Sequence, residues 1–295
     1  MKPATVEALA AAGLDPQPVE RIVRVALRED LGPAGLDVTS AATVPADQTD
    51  TADLVARADG VVAGLPVAAA VFDLASSGAL EFHSRAPDGG EVRRGDLLGA
   101  VSGPTRALLS AERTALNLLC RLSGIATHTR VWVTALQGTK ARVLDTRKTT
   151  PGLRILEKYA VRVGGGGNKR MGLYDVAMIK DNHKLAAGGV AAAYHRVRAG
   201  FPKLPVEVEV TTVDEAESAM AAGADFLLCD NMTPDQLRAV VAVATDRAEL
   251  EATGGLTLER AREYAETGVD YLSVGALTHS SPILDIALDL RPREE

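Results

Sequence analysis

Charged residues that could bind an anion are concentrated in one segment, residues 142–184. The segment contains ten Lys or Arg and four Asp or Glu, a net charge of +6, whereas the whole chain carries −7. Like charges repel, so such a concentration is expected where an anionic ligand relieves the repulsion. Only Tyr159 and Tyr174 are aromatic there, too few for the stacking surfaces that bind single-stranded nucleic acid. A solvated basic face is the alternative; the segment favours a site for a small polyanion.

Six short apolar segments, each a predicted strand, end in polar or glycine residues. These are Asp145 with Arg147 and Lys148, Lys180 with Asp181, Glu209, Asp230, Glu251, and Gly275. The strands are predicted at 142–144, 176–179, 206–210, 225–229, 248–251 and 271–274, with helices at 152–163, 189–199, 213–222, 233–244 and 257–267. Alternation of this kind fits a parallel α/β barrel or a doubly wound sheet. The barrel is favoured, because it brings all six strand ends to one face, where ligand sites form.

The first part of the chain has a different pattern. Two helices are predicted within residues 5–31, short strands and turns over 51–101 around a helix at 67–76, and a helical stretch over 105–138 that breaks at Ser123-Gly124. We expect a small α/β domain at 1–115, a barrel domain at 116–276, and a C-terminal segment, 277–295, that packs back on the first domain.

Composition limits the class of protein. The 295 residues are 46% hydrophobic and 24% charged, and no run of 18 apolar residues or basic-then-apolar leader is present. We therefore expect no membrane span and no signal peptide. Cys120 and Cys229 are too few and too far apart for a disulfide framework, which fits a cytoplasmic protein.

Glycines and acids at the later strand ends indicate two further functions. Thr253-Gly254-Gly255 and Gly275 each follow a strand and precede a helix, where backbone amides bind phosphate; plain turns are the alternative. Glu209 and Asp230, with Glu207 or Glu251, could hold Mg²⁺ or bind sugar hydroxyls. Alternation in VEVEV places Glu207 and Glu209 on one face of their strand. A buried acid pair held by Lys180 or Arg147 is the alternative.

The cations of the basic segment then require anions beyond one phosphate, such as a diphosphate, a dicarboxylate or both.

Several motifs of the sequence together resemble one family. DTRKTTPGLRILEKYAVRVGGG, MGLYDVAMIKDNH, VEVEV, LLCDN, EATGGL and GVDYLSVGALTHS resemble the quinolinate phosphoribosyltransferases, and REDLGPAGLDVTS and LLSAERTALNLLCRLSGIAT resemble their earlier segments. The resemblance implies an N-terminal α/β sandwich domain, an incomplete parallel α/β (TIM-like) barrel, and a homodimer with active sites at the subunit interface.

The resemblance also implies a reaction and roles for individual residues. Quinolinate and phosphoribosyl pyrophosphate (PRPP) would give nicotinate mononucleotide, pyrophosphate and CO₂ in NAD biosynthesis, with Mg²⁺ as cofactor. Lys148, Glu209, Asp230 and Lys180 would be catalytic, with Glu209 and Asp230 serving the metal partly through water and PRPP. Arg147, Arg170 and Lys180 would bind the acceptor carboxylates, together with Lys169 and His183, and Arg113 would reach in from the partner subunit. Thr253, Gly254, Gly255 and Gly275 would bind the 5′-phosphate.

One position departs from the family pattern. Lys169 stands where the family has His, within the acid-binding cluster, so a paralogue that acts on another aromatic acid is the alternative function. Thr253 replaces Ser and keeps the hydroxyl. A lyase that uses Lys180 as a Schiff-base lysine, and a non-catalytic phosphate-binding protein, are more distant alternatives.

Overall fold

The computed structural model describes residues 1–292, which form two compact units. The first unit comprises residues 1–128, 150–164 and those from 281 onward; the second comprises 129–149 and 165–280. In chain order the elements are α1 Pro3–Ala11, α2 Pro16–Leu31, α3 Val38–Thr43, β1 Thr49–Ala56, β2 Gly60–Val61, α4 Leu65–Ala75, β3 Glu81–Ser84, β4 Glu91–Val92, β5 Leu97–Pro104, α5 Thr105–Ala135, β6 Arg142–Leu144, α6 Arg154–Val163, β7 Ala177–Ile179, α7 Asp181–Ala187, α8 Val190–Gly200, β8 Val206–Val210, α9 Val213–Ala221, β9 Phe226–Asp230, α10 Pro234–Ala244, β10 Glu249–Thr253, α11 Leu258–Ala265, β11 Tyr271–Ser273, α12 Ala276–His279 and β12 Ile286–Leu290.

The first unit is built on an antiparallel sheet in the order β12-β1-β5-β3. The last strand of the chain pairs with β1, with Leu54 opposite Leu288, and helix α4 is buried along most of its length. Asp15 and Asp37 cap helices α2 and α3 by accepting hydrogen bonds from backbone amides of the first turn, so short polar residues fix where these helices begin. The predicted division at residues 115 and 276 stays a prediction.

The break predicted at Ser123-Gly124 is wrong, because helix α5 runs without interruption from Thr105 to Ala135. Gly124 is present for a different reason: a Cβ at this position would overlap the carbonyl oxygen of Pro282. Ser123 donates a hydrogen bond to the carbonyl of Ala63 and accepts one from its amide. Both residues therefore serve close packing inside the first unit rather than termination of the helix.

The second unit contains a six-stranded parallel sheet in the order β6-β11-β10-β9-β8-β7. All six strands and the five helices predicted around them are confirmed, with ends that differ by at most two residues; of these helices, α6 belongs to the first unit. The short helices α3 and α7 were missed. Strands β6 and β7 lie at opposite ends of this order, as in an incomplete barrel. Beside β6, Gly167 forms a parallel bridge with Leu144 and takes the place of a further strand.

Strand β8 explains why alternation in VEVEV is informative. All five of its residues are buried, so the three valines pack on one side and Glu207 and Glu209 are enclosed on the other.

None of the helices within residues 1–292 is long and apolar enough to cross a membrane.

Candidate active site

A cavity of about 570 Å³ lies in the second unit, at the carboxyl ends of its strands. Its lining brings together ten of the residues predicted for the site: Arg147, Lys148, Lys169, Arg170, Lys180, Glu209, Asp230, Thr253, Gly254 and Gly255. Sequence reasoning did not single out Thr146, Met178, Leu228, Asn231 and Ser273, which complete the lining with Glu251. The expected convergence of strand ends on one site thus accounts for the arrangement.

Arg170 is held in place by its surroundings. The guanidinium of Arg170 donates to the carbonyl of Val176 and to Sδ of Met178, both at 3.3 Å. Burial, and then the neighbouring charge of Arg147, lowers the pKa of Arg170 from its ordinary value. A pair of arginines under mutual repulsion is stabilised by an anion that bridges them, and a planar carboxylate fits the guanidinium geometry.

Lys180 forms a short ion pair with Glu209, the acid at the carboxyl end of β8. The Glu209 side chain is 8% exposed, whereas the Lys180 side chain is 46% exposed and can turn toward a ligand in the cavity. Lys184 donates to the backbone carbonyl of Glu209 at 3.1 Å, which fixes the strand end. Pairing of a β8 acid with Lys180, which the sequence left open as the alternative to a metal or sugar site, therefore occurs at Glu209.

A second lysine, Lys169, contacts the other β8 acid, Glu207, and also Glu251. Nζ of Lys169 lies 2.5 Å from Glu251 and 3.2 Å from Glu207, and 5.7 Å from the centroid of the Phe226 ring. Its side chain is 7% exposed. The backbone amide of Lys169 donates to the fully buried Asp145 at 2.8 Å, so the end of β6 anchors this residue.

Asn231 shapes the glycine loop. It adopts a positive φ of 54°, a conformation that Asn tolerates better than most residues, and its amide donates to the carbonyl of Thr253 at 2.9 Å. Gly254 has a φ of 89°, and a Cβ there would overlap the Asn231 side chain. Asn231 Nδ2 also donates to Asp230 at 2.9 Å. The signal that could have identified Asn231 is an Asn placed directly after a strand-end acid.

Three predicted site residues do not line this cavity. Gly275 lies beside it, where an added Cβ would be 3.0 Å from Cδ of Lys148. His183 accepts a hydrogen bond from the Lys180 amide at 3.0 Å and lines a neighbouring cavity of about 560 Å³ together with Lys180. Arg113 is exposed on helix α5 in the first unit. Their assigned roles stay predictions.

The acidic side of the cavity offers oxygen ligands of the kind that Mg²⁺ prefers. Glu209 and Asp230 both line it, and Asp230 is partly exposed. Within residues 1–292 no group of three or more His, Cys, Asp or Glu is arranged to hold a metal. Two carboxylates fit a Mg²⁺ ion that keeps several waters and takes its remaining ligands from substrate phosphates.

Comparison with known proteins gives one consistent result. Models of the N-terminal and C-terminal domains of quinolinate phosphoribosyl transferase match residues 37–123 and 125–289. A nicotinate-nucleotide pyrophosphorylase (carboxylating) from Mycobacterium leprae is 51% identical, over 91% of this chain and 95% of the relative. A probable enzyme of the same name from Bacillus subtilis is 43% identical, over 89% and 90%.

Solved structures agree. NadC from Streptococcus pyogenes has a TM-score of 0.90 at 39% identity, covering 94% of this chain and 98% of that one. The nicotinate-nucleotide pyrophosphorylase from Francisella tularensis has a TM-score of 0.89 at 36% identity, covering 93% and 96%. The fold, the cavity and these matches together place the chain in the quinolinate phosphoribosyltransferase family.

Proposed function

We propose that this enzyme transfers the phosphoribosyl group of PRPP to quinolinate and releases pyrophosphate and CO₂, forming nicotinate mononucleotide for NAD biosynthesis. The observation that carries the proposal is the composition of one cavity. Arg147, Arg170 and Lys180 supply charge for a dicarboxylate, and the glycine loop at Gly254 and Gly255 supplies backbone amides for a phosphate.

The residues have distinct tasks in the reaction. The ring nitrogen of quinolinate attacks C1′ of PRPP as the bond from C1′ to the diphosphate oxygen breaks, and the carboxylate of Glu209 stabilises positive charge on the ribose. Lys148 neutralises the departing diphosphate. Mg²⁺ held by Glu209 and Asp230 would share that charge neutralisation when bound.

Decarboxylation follows from the charge of the new nucleotide. The bond between the ring and its 2-carboxylate breaks, CO₂ leaves, and the electron pair remains on the ring carbon beside the now cationic nitrogen, where it takes a proton from water. Arg147 and Arg170 hold the remaining carboxylate. We assign no side chain as the proton donor.

The assembly is part of the proposal. We infer a cytoplasmic homodimer in which Arg113 completes the site of the neighbouring subunit. Support comes from the exposure of Arg113, and from Val25, Leu36 and Val38, which are apolar, 53–69% exposed and in the same unit. Exposed apolar side chains are typical of subunit contacts where they form one continuous patch.

The test is to incubate the purified protein with Mg²⁺, PRPP and quinolinate and to measure nicotinate mononucleotide and CO₂. We expect both products in equal amounts. Lys180→Met should abolish turnover, while Lys203→Met, a matched change at an exposed loop lysine, should not. Absence of turnover with quinolinate but turnover with another aromatic acid would establish the paralogue instead, and borohydride trapping of a carbonyl substrate on Lys180 would establish the lyase.

A further inference from the structure

Lys169 lines the cavity, but its side chain is almost fully buried against acids from two neighbouring regions of the sheet. Its ammonium is within ion-pair distance of Glu207 and Glu251, whose exposed fractions are 7% and 0%. Buried carboxylates are strongly destabilising unless a nearby charge compensates them, and the ammonium in ion-pair contact with both of these acids is that of Lys169.

The same two acids act on a residue that we assign to the acceptor. Arg170 follows Lys169 directly in the chain, and both line the same cavity as Glu251. Glu207 and Glu251 both raise the pKa of Arg170, against the larger lowering by burial and by Arg147, as expected of acids within electrostatic reach of the guanidinium. Without the ammonium of Lys169, the carboxylates of Glu207 and Glu251 would attract Arg170 away from a ligand in the cavity. A neutral or partly charged side chain at position 169 would leave the acid pair and the ligand in competition for Arg170.

We propose that Lys169 is a positioning residue, whose ammonium neutralises the buried Glu207–Glu251 pair and so keeps Arg170 on the carboxylates of the acceptor. The inference rests on the proposed function, since it concerns the acceptor of that reaction. It assigns Lys169 no contact with the acceptor, although this position belongs to the acid-binding cluster by resemblance. Lys at position 169, where the family has His, then changes how the charges of Glu207 and Glu251 are balanced.

The test separates charge balance from direct contact. The probe is benzene-1,2-dicarboxylate, a ring-carbon analogue of quinolinate that has no nitrogen to glycosylate, and its affinity is measured by titration calorimetry on the whole protein. We expect Lys169→Met to weaken binding about tenfold or more, because the two buried acids then compete with the probe for Arg170. Adding Glu207→Gln and Glu251→Gln to Lys169→Met should restore the affinity to within about threefold of the original, as coupled residues do.

A direct contact gives the opposite result: the triple variant binds as weakly as Lys169→Met, and the proposal is overturned. Affinity for PRPP, measured in parallel, should change less than about threefold in every variant. If Lys169→Met does not fold, a crystal structure of the unmodified protein with the probe decides, since Nζ should remain on Glu251 and not approach a probe carboxylate. Failure of the proposed reaction would appear separately, as absence of turnover by the unmodified enzyme.

Discussion

A single asparagine fixes the loop that we assign to the phosphate of PRPP. Asn231 fills the space beside Gly254, so Gly254→Ala adds both backbone strain and a steric overlap in that loop. We expect the variant to lose affinity for PRPP by about tenfold or more, since a displaced loop no longer presents its amides to the phosphate. Titration calorimetry with PRPP measures the change.

Gly138→Ala is the matched control for this effect. Gly138 has a φ of 83°, close to that of Gly254, but an added Cβ would meet nothing within 4 Å. Both variants carry the strain of a left-handed conformation, about 1–2 kcal/mol. Only Gly254→Ala should change PRPP binding; an equal loss in both variants would show that general destabilisation, and not displacement of the glycine loop, is responsible.

The buried acid Glu207 predicts a dependence of stability on pH. Burial raises the pKa of Glu207, only partly offset by Lys169. Because the folded-state pKa lies above the unfolded one, its contribution to stability is present below the ordinary glutamate pKa and is lost as pH rises through the raised value. The free energy of unfolding of the original protein minus that of Glu207→Gln should therefore fall with rising pH, by about 1.4 kcal/mol per unit of pKa shift.

Urea unfolding at a series of pH values measures this difference, and Asp175→Asn gives a control of opposite sign. Although burial acts against it, hydrogen bonds from the amides of Met171 and Gly172 lower the pKa of Asp175. The advantage of Asp175 over Asn should be present above the ordinary aspartate pKa and lost as pH falls through the lowered value. If both differences moved in the same direction, our assignment for Glu207 would be wrong.

At the scale of elements, helix α5 contains a glycine whose replacement should reverse the usual propensity effect. Ala is more favourable than Gly in a helix interior by about 0.8–1 kcal/mol. At position 124 the added Cβ would overlap the backbone at Pro282, so Gly124→Ala should lower the free energy of unfolding by at least about 1–3 kcal/mol.

Gly200→Ala in helix α8 is the comparison, because nothing lies within 4 Å of a Cβ there. It should leave the free energy of unfolding unchanged or raise it by up to about 1 kcal/mol, and the melting temperature should follow. Scanning calorimetry of both variants is the measurement. Equal stabilisation of the two would mean that the segment at Pro282 does not pack against α5 in solution.

The elements also show what sequence could and could not predict. Apart from the short helix α7, the predicted strands and helices of the second unit follow from local apolar runs and from glycines between them, so their positions were predicted closely. The reason for Gly124 lies in a contact with a distant part of the chain, which no local pattern reveals. Likewise, the strand-end rule gathered the charged residues of the site, but it could not specify that Lys169, a loop residue, holds Glu207 and Glu251.

At the scale of the whole molecule, the proposed sharing of sites between subunits predicts complementation. Arg113→Ala and Lys180→Met subunits should each be inactive. When they are unfolded and refolded together, half of the dimers formed at random carry one site with both residues intact, so about one quarter of the original activity should return. Activity that never exceeds the sum of the two parents would mean that Arg113 does not serve a neighbouring site.

The pairing of β12 with β1 has a consequence for synthesis on the ribosome. The chain emerges from its N-terminus, so the six strands of the second unit are available once Ser273 has left the ribosomal exit tunnel. The first unit began to emerge earlier, yet its sheet cannot be completed until Ile286–Leu290 arrive to cover the edge of β1. The segment that is made first is thus completed last, and the exposed edge of β1 has to be kept from other chains throughout translation.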